Sequence, residues 1–181
     1  MAANYQGEFN EWNPYGAHMI VIGCDPGLTG AITSLDHHGH LRAVIDLPTC
    51  SIETAGPKAK VKRKIDARAL REIMRGMVPA DERAIFAIED MQLLGGSSVQ
   101  TMGALAHTRG VIEAVALLCD LDVRFVRPQA WKRFYGLGSD KMAALNLART
   151  LWGGWTEFSR VKDHNRAESA LIARWALRNL T

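Results

Sequence analysis

With 181 residues, 48% of them hydrophobic, the chain can bury one sizeable core and by length forms one domain. Its 22 Lys and Arg against 19 Asp and Glu leave a net charge of +3 and a pI near 8.9, so the distribution of charge matters more than its total. No apolar run approaches the roughly 18 residues of a membrane span, no secretory h-region is present, and Cys24, Cys50 and Cys119 lack CxxC spacing, which predicts free thiols in a reducing compartment.

Residues 1–18 lack the arginine-rich pattern of an organelle transit peptide and read as an N-terminal extension ahead of a domain over 19–181. The first strand runs through Met19–Asp25, and residues 29–35 and 41–47 read as two more. The turn Asp36-His37-His38-Gly39 lies between the latter two, so the three strands form an antiparallel meander; its histidines read as solvent-exposed. Residues 49–64, polar and basic with Gly56-Pro57, read as a mobile loop. Asp66 is placed to cap a helix over Ala67–Met77, with Leu70, Ile73, Met74 and Met77 on one face.

Residues 82–89 supply a fourth strand and 93–98 a Gly/Ser loop. Ser97 or Ser98 then caps a long helix over 99–119. Gly103 and Gly110 inside it cost about 1 kcal/mol each, which predicts close approach of another backbone. Residues 123–126 form a fifth strand, Pro128 opens a helix to residue 135, Ser139 caps another over 140–152, and the last helix covers 165–179. Trp131 and Tyr135 read as packing residues. The order predicts the α/β class: a five-stranded mixed sheet, three strands antiparallel and then two parallel, flanked by helices.

Four acidic residues stand where packing has no use for them. Asp25 and Glu89 end apolar strands, and Asp163 and Glu168 open the last helix. An ionised carboxylate beside an apolar core is costly without a partner. Divalent cations remove that cost, and hard oxygen ligands suit Mg²⁺ or Mn²⁺. Two-metal phosphodiester hydrolysis needs several carboxylates from separate elements meeting at one point. Parallel first and fourth strands would set Asp25 and Glu89 side by side. Asp90 would face the other way, so only one of Glu89 and Asp90 can join Asp25. His164 and Asn165 share a helix face with Glu168, whereas Asp163 converges on it only from a position at or before the cap.

Basic residues surround this acidic set. Residues 58–75 hold eight Lys and Arg against two acids, including Lys60, Lys62, Arg63 and Lys64. Arg124, Arg127, Lys132 and Arg133 form a second group, and Arg160, Lys162 and Arg166 flank the late carboxylates. Such clusters suit a polyanion whose phosphate is attacked at a metal site, with a solvated charged surface as the alternative. Lys141 follows Gly-Ser-Asp at a helix start, a place that favours anions.

Several segments resemble, in order, those of RuvC-like Holliday junction resolvases. They are Asp25-Pro26-Gly27-Leu28-Thr29-Gly30 after an apolar strand; Ala87-Ile88-Glu89-Asp90; Gly96-Ser97-Ser98 leading to Thr101-Met102-Gly103; and Arg109-Gly110-Val111-Ile112-Glu113. Val126-Arg127-Pro128-Gln129-Ala130-Trp131-Lys132, Gly136-Leu137-Gly138-Ser139-Asp140-Lys141 and Arg166-Ala167-Glu168-Ser169-Ala170-Leu171-Ile172-Ala173 continue the match, the last as in phage and organelle branches. The resemblance implies an RNase H-like fold and a homodimeric endonuclease that nicks opposing strands of a four-way DNA junction with two Mg²⁺ per site, Mn²⁺ substituting. It selects Asp25, Glu89 and Glu168 as metal ligands, with Lys141 near the scissile phosphate. Asp163 becomes the fourth ligand if the five-residue spacing applies; the bacterial three-residue spacing would put Asn165 there, and His164 is a further candidate.

The resemblance also assigns DNA contacts to Ser97, Ser98 and Gln100, beside Lys60, Lys62, Arg63, Lys64 and Lys132 from charge. It implies work in the cytoplasm of a bacterial or phage-infected cell, with an organelle as the alternative. Asp25-Pro26-Gly27-Leu28-Thr29 is also similar to the phosphate loop of sugar kinases and actin-like ATPases, but those need a duplicated fold for which 181 residues without a repeat is too short. A nuclease for flaps or RNA–DNA hybrids, or a non-catalytic junction binder, remains the rival.

Overall fold

A computed structural model describes residues 19–52, 62–80, 82–90 and 98–181, and these described residues hold seven strands and five α-helices. The extension 1–18, Lys58, Lys60 and Ser97 therefore lie outside the described residues. Strands β1 (Met19–Asp25), β2 (Ala31–Leu35) and β3 (Leu41–Asp46) form the expected meander. Strands β6 (Arg83–Glu89) and β7 (Asp122–Val126) extend it in parallel, giving one sheet in the order β3-β2-β1-β6-β7.

The expected loop over 49–64 is in part a second, two-stranded sheet. β4 (Thr49–Ile52) pairs antiparallel with β5 (Lys62–Ile65), from Thr49 opposite Ile65 to Ile52 opposite Lys62. Charge hid the second strand: Lys62, Arg63 and Lys64 are exposed and only Ile65 is buried, so the apolar alternation that marks a half-buried strand is missing.

Helices cover both faces, because β1 and β6 are apolar on both. Odd positions of these strands (Met19, Val21, Ile85, Ala87) enter one core with α3 (Pro128–Phe134), α4 (Lys141–Leu151) and α5 (His164–Asn179). Even positions (Ile20, Ile22, Cys24, Phe86, Ile88) enter a second core with α1 (Ala67–Met77) and α2 (Val99–Leu118). Asp66 caps α1 by accepting from the amides of Arg68 and Ala69, each at 3.1 Å. The cap of α4 is Asp140 rather than Ser139, its carboxylate accepting from Met142 N at 2.9 Å. Two short 3₁₀ turns, Thr156–Phe158 and Val161–Asp163, lead into α5 and were not expected from the sequence.

The close approach predicted at Gly103 and Gly110 is not made within the protomer: among its described residues nothing lies within 4 Å of where a Cβ would stand at either. The close approach is instead at Gly23 on β1, where a Cβ would meet the Ser169 carbonyl at 2.2 Å and Ala173 N at 2.4 Å. Glycine there lets α5 lie directly on the strand. Among the described residues no helix is long and apolar enough to cross a membrane.

Candidate active site

The parallel pairing of β1 with β6 runs in register to Cys24 opposite Ile88, so Asp25 and Glu89 are the next pair along. Both are odd positions and fall on the α5 face of the sheet by alternation. The contact of Gly23 with Ser169 brings in the residue before it on α5, Glu168. Three carboxylates from three elements thus share one end of the sheet.

Their charges act on one another. Asp25 is pushed up to about 7, first by burial, then by the negative charges of Glu168 and Glu89, against the opposing pull of Lys141 and Lys132. Glu89 is also raised, by burial and by Glu168, although a hydrogen bond from Trp131 works the other way. Trp131 Nε1 donates to Glu89 Oε1 at 2.9 Å, and Lys132 Nζ lies 3.8 Å from Glu168 Oε1. Consecutive residues of α3 therefore reach two of the three carboxylates. Lys141, at the start of α4, contributes its charge to Asp25 from an exposed position.

The other acidic candidates are placed differently. Asp90 lies on the opposite side of the strand end and is bound by Arg109 NH1 at 2.7 Å. The side chain of Asp163 is buried, with 1% accessible, among arginines. Its Oδ1 accepts from Arg160 NH2 at 2.7 Å and Arg160 Nε at 3.0 Å, its Oδ2 from the Arg160 amide at 2.8 Å, and Arg166 NH1 is 3.9 Å away. Burial alone would raise its pKa, but these bonds outweigh it and hold Asp163 below the usual carboxylate range. Asn165 Nδ2 donates to the Thr29 carbonyl at 2.7 Å, so this side chain borders the turn that follows Asp25. His164 Nδ1 is 3.5 Å from the Val161 carbonyl.

Of the expected DNA contacts, Ser98 caps α2 by accepting from Thr101 N at 3.1 Å, and Gln100 is exposed on the first turn of that helix. Lys62, Arg63 and Lys64 are exposed on β5, with Arg63 Nε donating to Thr49 Oγ1 at 2.8 Å. The link from Trp131 to Glu89 was missed, since Trp131 reads only as a packing residue. The usable signal was its polar end, because a buried indole N–H generally finds an acceptor.

Among the described residues no group of three or more His, Cys, Asp or Glu side chains is arranged to hold a metal ion as it stands. The donor chemistry nevertheless suits a hard divalent cation: three carboxylates meet there, and Asp25 and Glu89 have raised pKa values. Glu89 is turned to the neutral N–H of Trp131 and Glu168 to the ammonium of Lys132, which offsets charge an ion would otherwise neutralise.

A pH dependence follows. The folded pKa of Asp25 lies above the roughly 3.9 of an unfolded aspartate, so the fold favours its protonated form. The resulting penalty is absent below about pH 4, grows with pH and is complete once pH passes about 7. Without divalent ions, Asp25→Asn should therefore melt above wild type at pH 8, with the gap closing toward pH 4. Mg²⁺ should narrow the gap at pH 8 by stabilising wild type alone. Equal melting temperatures at pH 8 in the absence of ions would contradict the strain assigned to Asp25.

No family model matches the chain, and no curated protein matches it at a significant level. Solved structures do. RuvC of Thermus thermophilus in complex with a Holliday junction substrate aligns with TM-score 0.57 and 18% identity over 91% of this chain and 98% of that one. A further Thermus thermophilus RuvC structure aligns with TM-score 0.52 and 16% identity over 88% and 96%. At these identities the likeness is one of fold, and the chain has the RuvC-like, RNase H-like architecture.

Proposed function

We propose that the protein is a metal-dependent endonuclease acting on branched DNA, nicking opposing strands of a four-way junction. The observation that carries this reading is the charge coupling of Asp25, Glu89 and Glu168 at one sheet end, beside Lys132 and Lys141. Asp25, Glu89 and Glu168 would hold Mg²⁺, or Mn²⁺ in its place. Bound divalent cations there would supply Lewis acidity, offsetting charge that builds on the phosphoryl group and making water a better nucleophile. Lys132 and Lys141 bring positive charge to the side where a phosphate would approach. Trp131 and the packing of α5 on Gly23 hold the carboxylates in place. The likeness to a RuvC bound to a Holliday junction supports the choice of substrate. Assignment to the phage and organelle branch rests on the five-residue spacing of Asp163 and Glu168, and the place of action on this reading is the cytoplasm of a bacterial or phage-infected cell.

The test is Mg²⁺-dependent nicking of a synthetic four-way junction, set beside a linear duplex, a flap and an RNA–DNA hybrid. Preferred cutting of the junction is expected. Faster cutting of flap or hybrid would move the protein to a different substrate on the same fold, and junction binding without cutting would leave a scaffold.

Paired nicks need two active sites facing opposite strands, which a twofold dimer supplies. The face for it lies near the end of α2, where Leu117 and Leu118 are exposed, Leu118 at 72%. Val111, one turn and more before it on the same helix, packs against the second core and does not share this surface. Leu118→Glu should therefore give a monomer in sedimentation that nicks one strand; a wild type that is monomeric alone and on a junction would end the paired-cut mechanism.

The basic strand β5 is proposed to follow the phosphate backbone without reading bases. Neutralising Lys60, Lys62, Arg63 and Lys64 should flatten the plot of log K against log salt by about 0.9 for each phosphate that loses its cationic partner. An unchanged slope would return the strand to solvated surface.

A further inference from the structure

We infer that Trp131 is a positioning residue for the ion site, holding one oxygen of Glu89 with a neutral donor so that the other oxygen and the full negative charge stay available to a cation. This deepens the nuclease reading and rests on it.

Trp131 is fully buried in the core shared by α3, α4, α5 and the α5 face of the sheet. Close packing on that scale fixes the plane of the ring, and with it the direction of the N–H. Glu89 stands at the strand end, where its side chain has rotamers to choose from. The 2.9 Å bond from Trp131 Nε1 to Glu89 Oε1 selects one. The next residue, Lys132, meets Glu168 with a full positive charge at 3.8 Å and lies 5.1 Å from the centroid of the Trp131 ring. A cation at Glu89 as well would compete with a metal for the same charge, whereas an indole orients the carboxylate without cancelling it. Partners of this kind behind metal ligands typically change ion affinity by about 10–100-fold when removed.

The experiment is Mn²⁺ binding to the full-length protein without DNA, read by the electron paramagnetic resonance signal of free Mn²⁺, in wild type and Trp131→Phe. Phenylalanine keeps an aromatic ring and removes the donor. If it unfolds the protein, 3-benzothienylalanine at position 131 replaces the N–H by sulfur within the same outline. Affinity about tenfold or more below wild type is expected, with no further loss when the same change is made in a Glu89→Ala background. Wild-type affinity in the donor-less variant overturns the inference and leaves the nuclease reading intact. A further loss in the Glu89→Ala background also overturns it, since Trp131 would then act through packing. Absence of Mn²⁺ binding by wild type overturns the ion-site reading and this inference with it.

Discussion

Replacing Asp25 by Asn, or Glu89 or Glu168 by Gln, is expected to slow junction cutting by on the order of 10³-fold, comparable with removing a group that stabilises transition-state charge. Junction binding should stay close to wild type. The three side chains sit at the ends of β1 and β6 and on the first turns of α5, and Asp25 and Glu89 carry raised pKa values, first through burial and then through the neighbouring carboxylates. Single-turnover cutting in Mg²⁺, beside gel-shift binding in a chelator, separates the two effects. Loss of activity in Asp25→Asn cannot be laid to unfolding, since that variant is expected to be the more stable one at pH 8. Near wild-type cutting by any of the three would remove that residue from the site.

Asp163→Asn serves as the contrasting arm. If Asp163 is a ligand, cutting falls with little change in melting temperature. If its task is to bind Arg160 and Arg166, the melting temperature falls too, because a buried partner of two arginines is lost.

Gly23→Ala is expected to be the most destabilising small substitution in the sheet, by about 3 kcal/mol, or roughly 6–12 °C in Tm for a chain of this size. The added methyl would stand 2.2 Å from the Ser169 carbonyl, so β1 and α5 must separate. Since Glu168 precedes Ser169, the separation also draws one carboxylate away from Asp25, and cutting should fall even where the protein stays folded. Gly103→Ala is the control. Nothing described lies within 4 Å of its Cβ position, and the helical gain is about 0.5–1 kcal/mol. Thermal melts of both variants decide the matter: a Gly23→Ala protein as stable as wild type would mean that α5 does not bear on the strand there.

The sequence by itself determined the elements whose periodicity is strong and local. The apolar runs of β1 and β6, the stripe of Leu70, Met74 and Met77 on α1, and the cap at Asp66 are legible because each depends on neighbours within a turn or a strand. Asp25 and Glu89 stood out for the same reason, as carboxylates that end apolar strands, whereas Glu168 was singled out through the resemblance of the terminal helix. Tertiary structure alone decided what these groups face. The strand at Lys62–Ile65 exists because a partner at Thr49–Ile52 supplies its hydrogen bonds, which a run of three basic residues does not announce. Asp163 and Glu168 are five residues apart, yet the preceding 3₁₀ turn presents one to Arg160 while Lys132 of α3 meets the other. Gly103 and Gly23 look equally permissive in sequence; only the packing of α5 on β1 makes Gly23 the one a methyl group cannot enter. Side-chain identity sets what a residue can bind, but which partner lies within about 3 Å is fixed by contacts between elements far apart in the chain, as with Trp131 and Glu89.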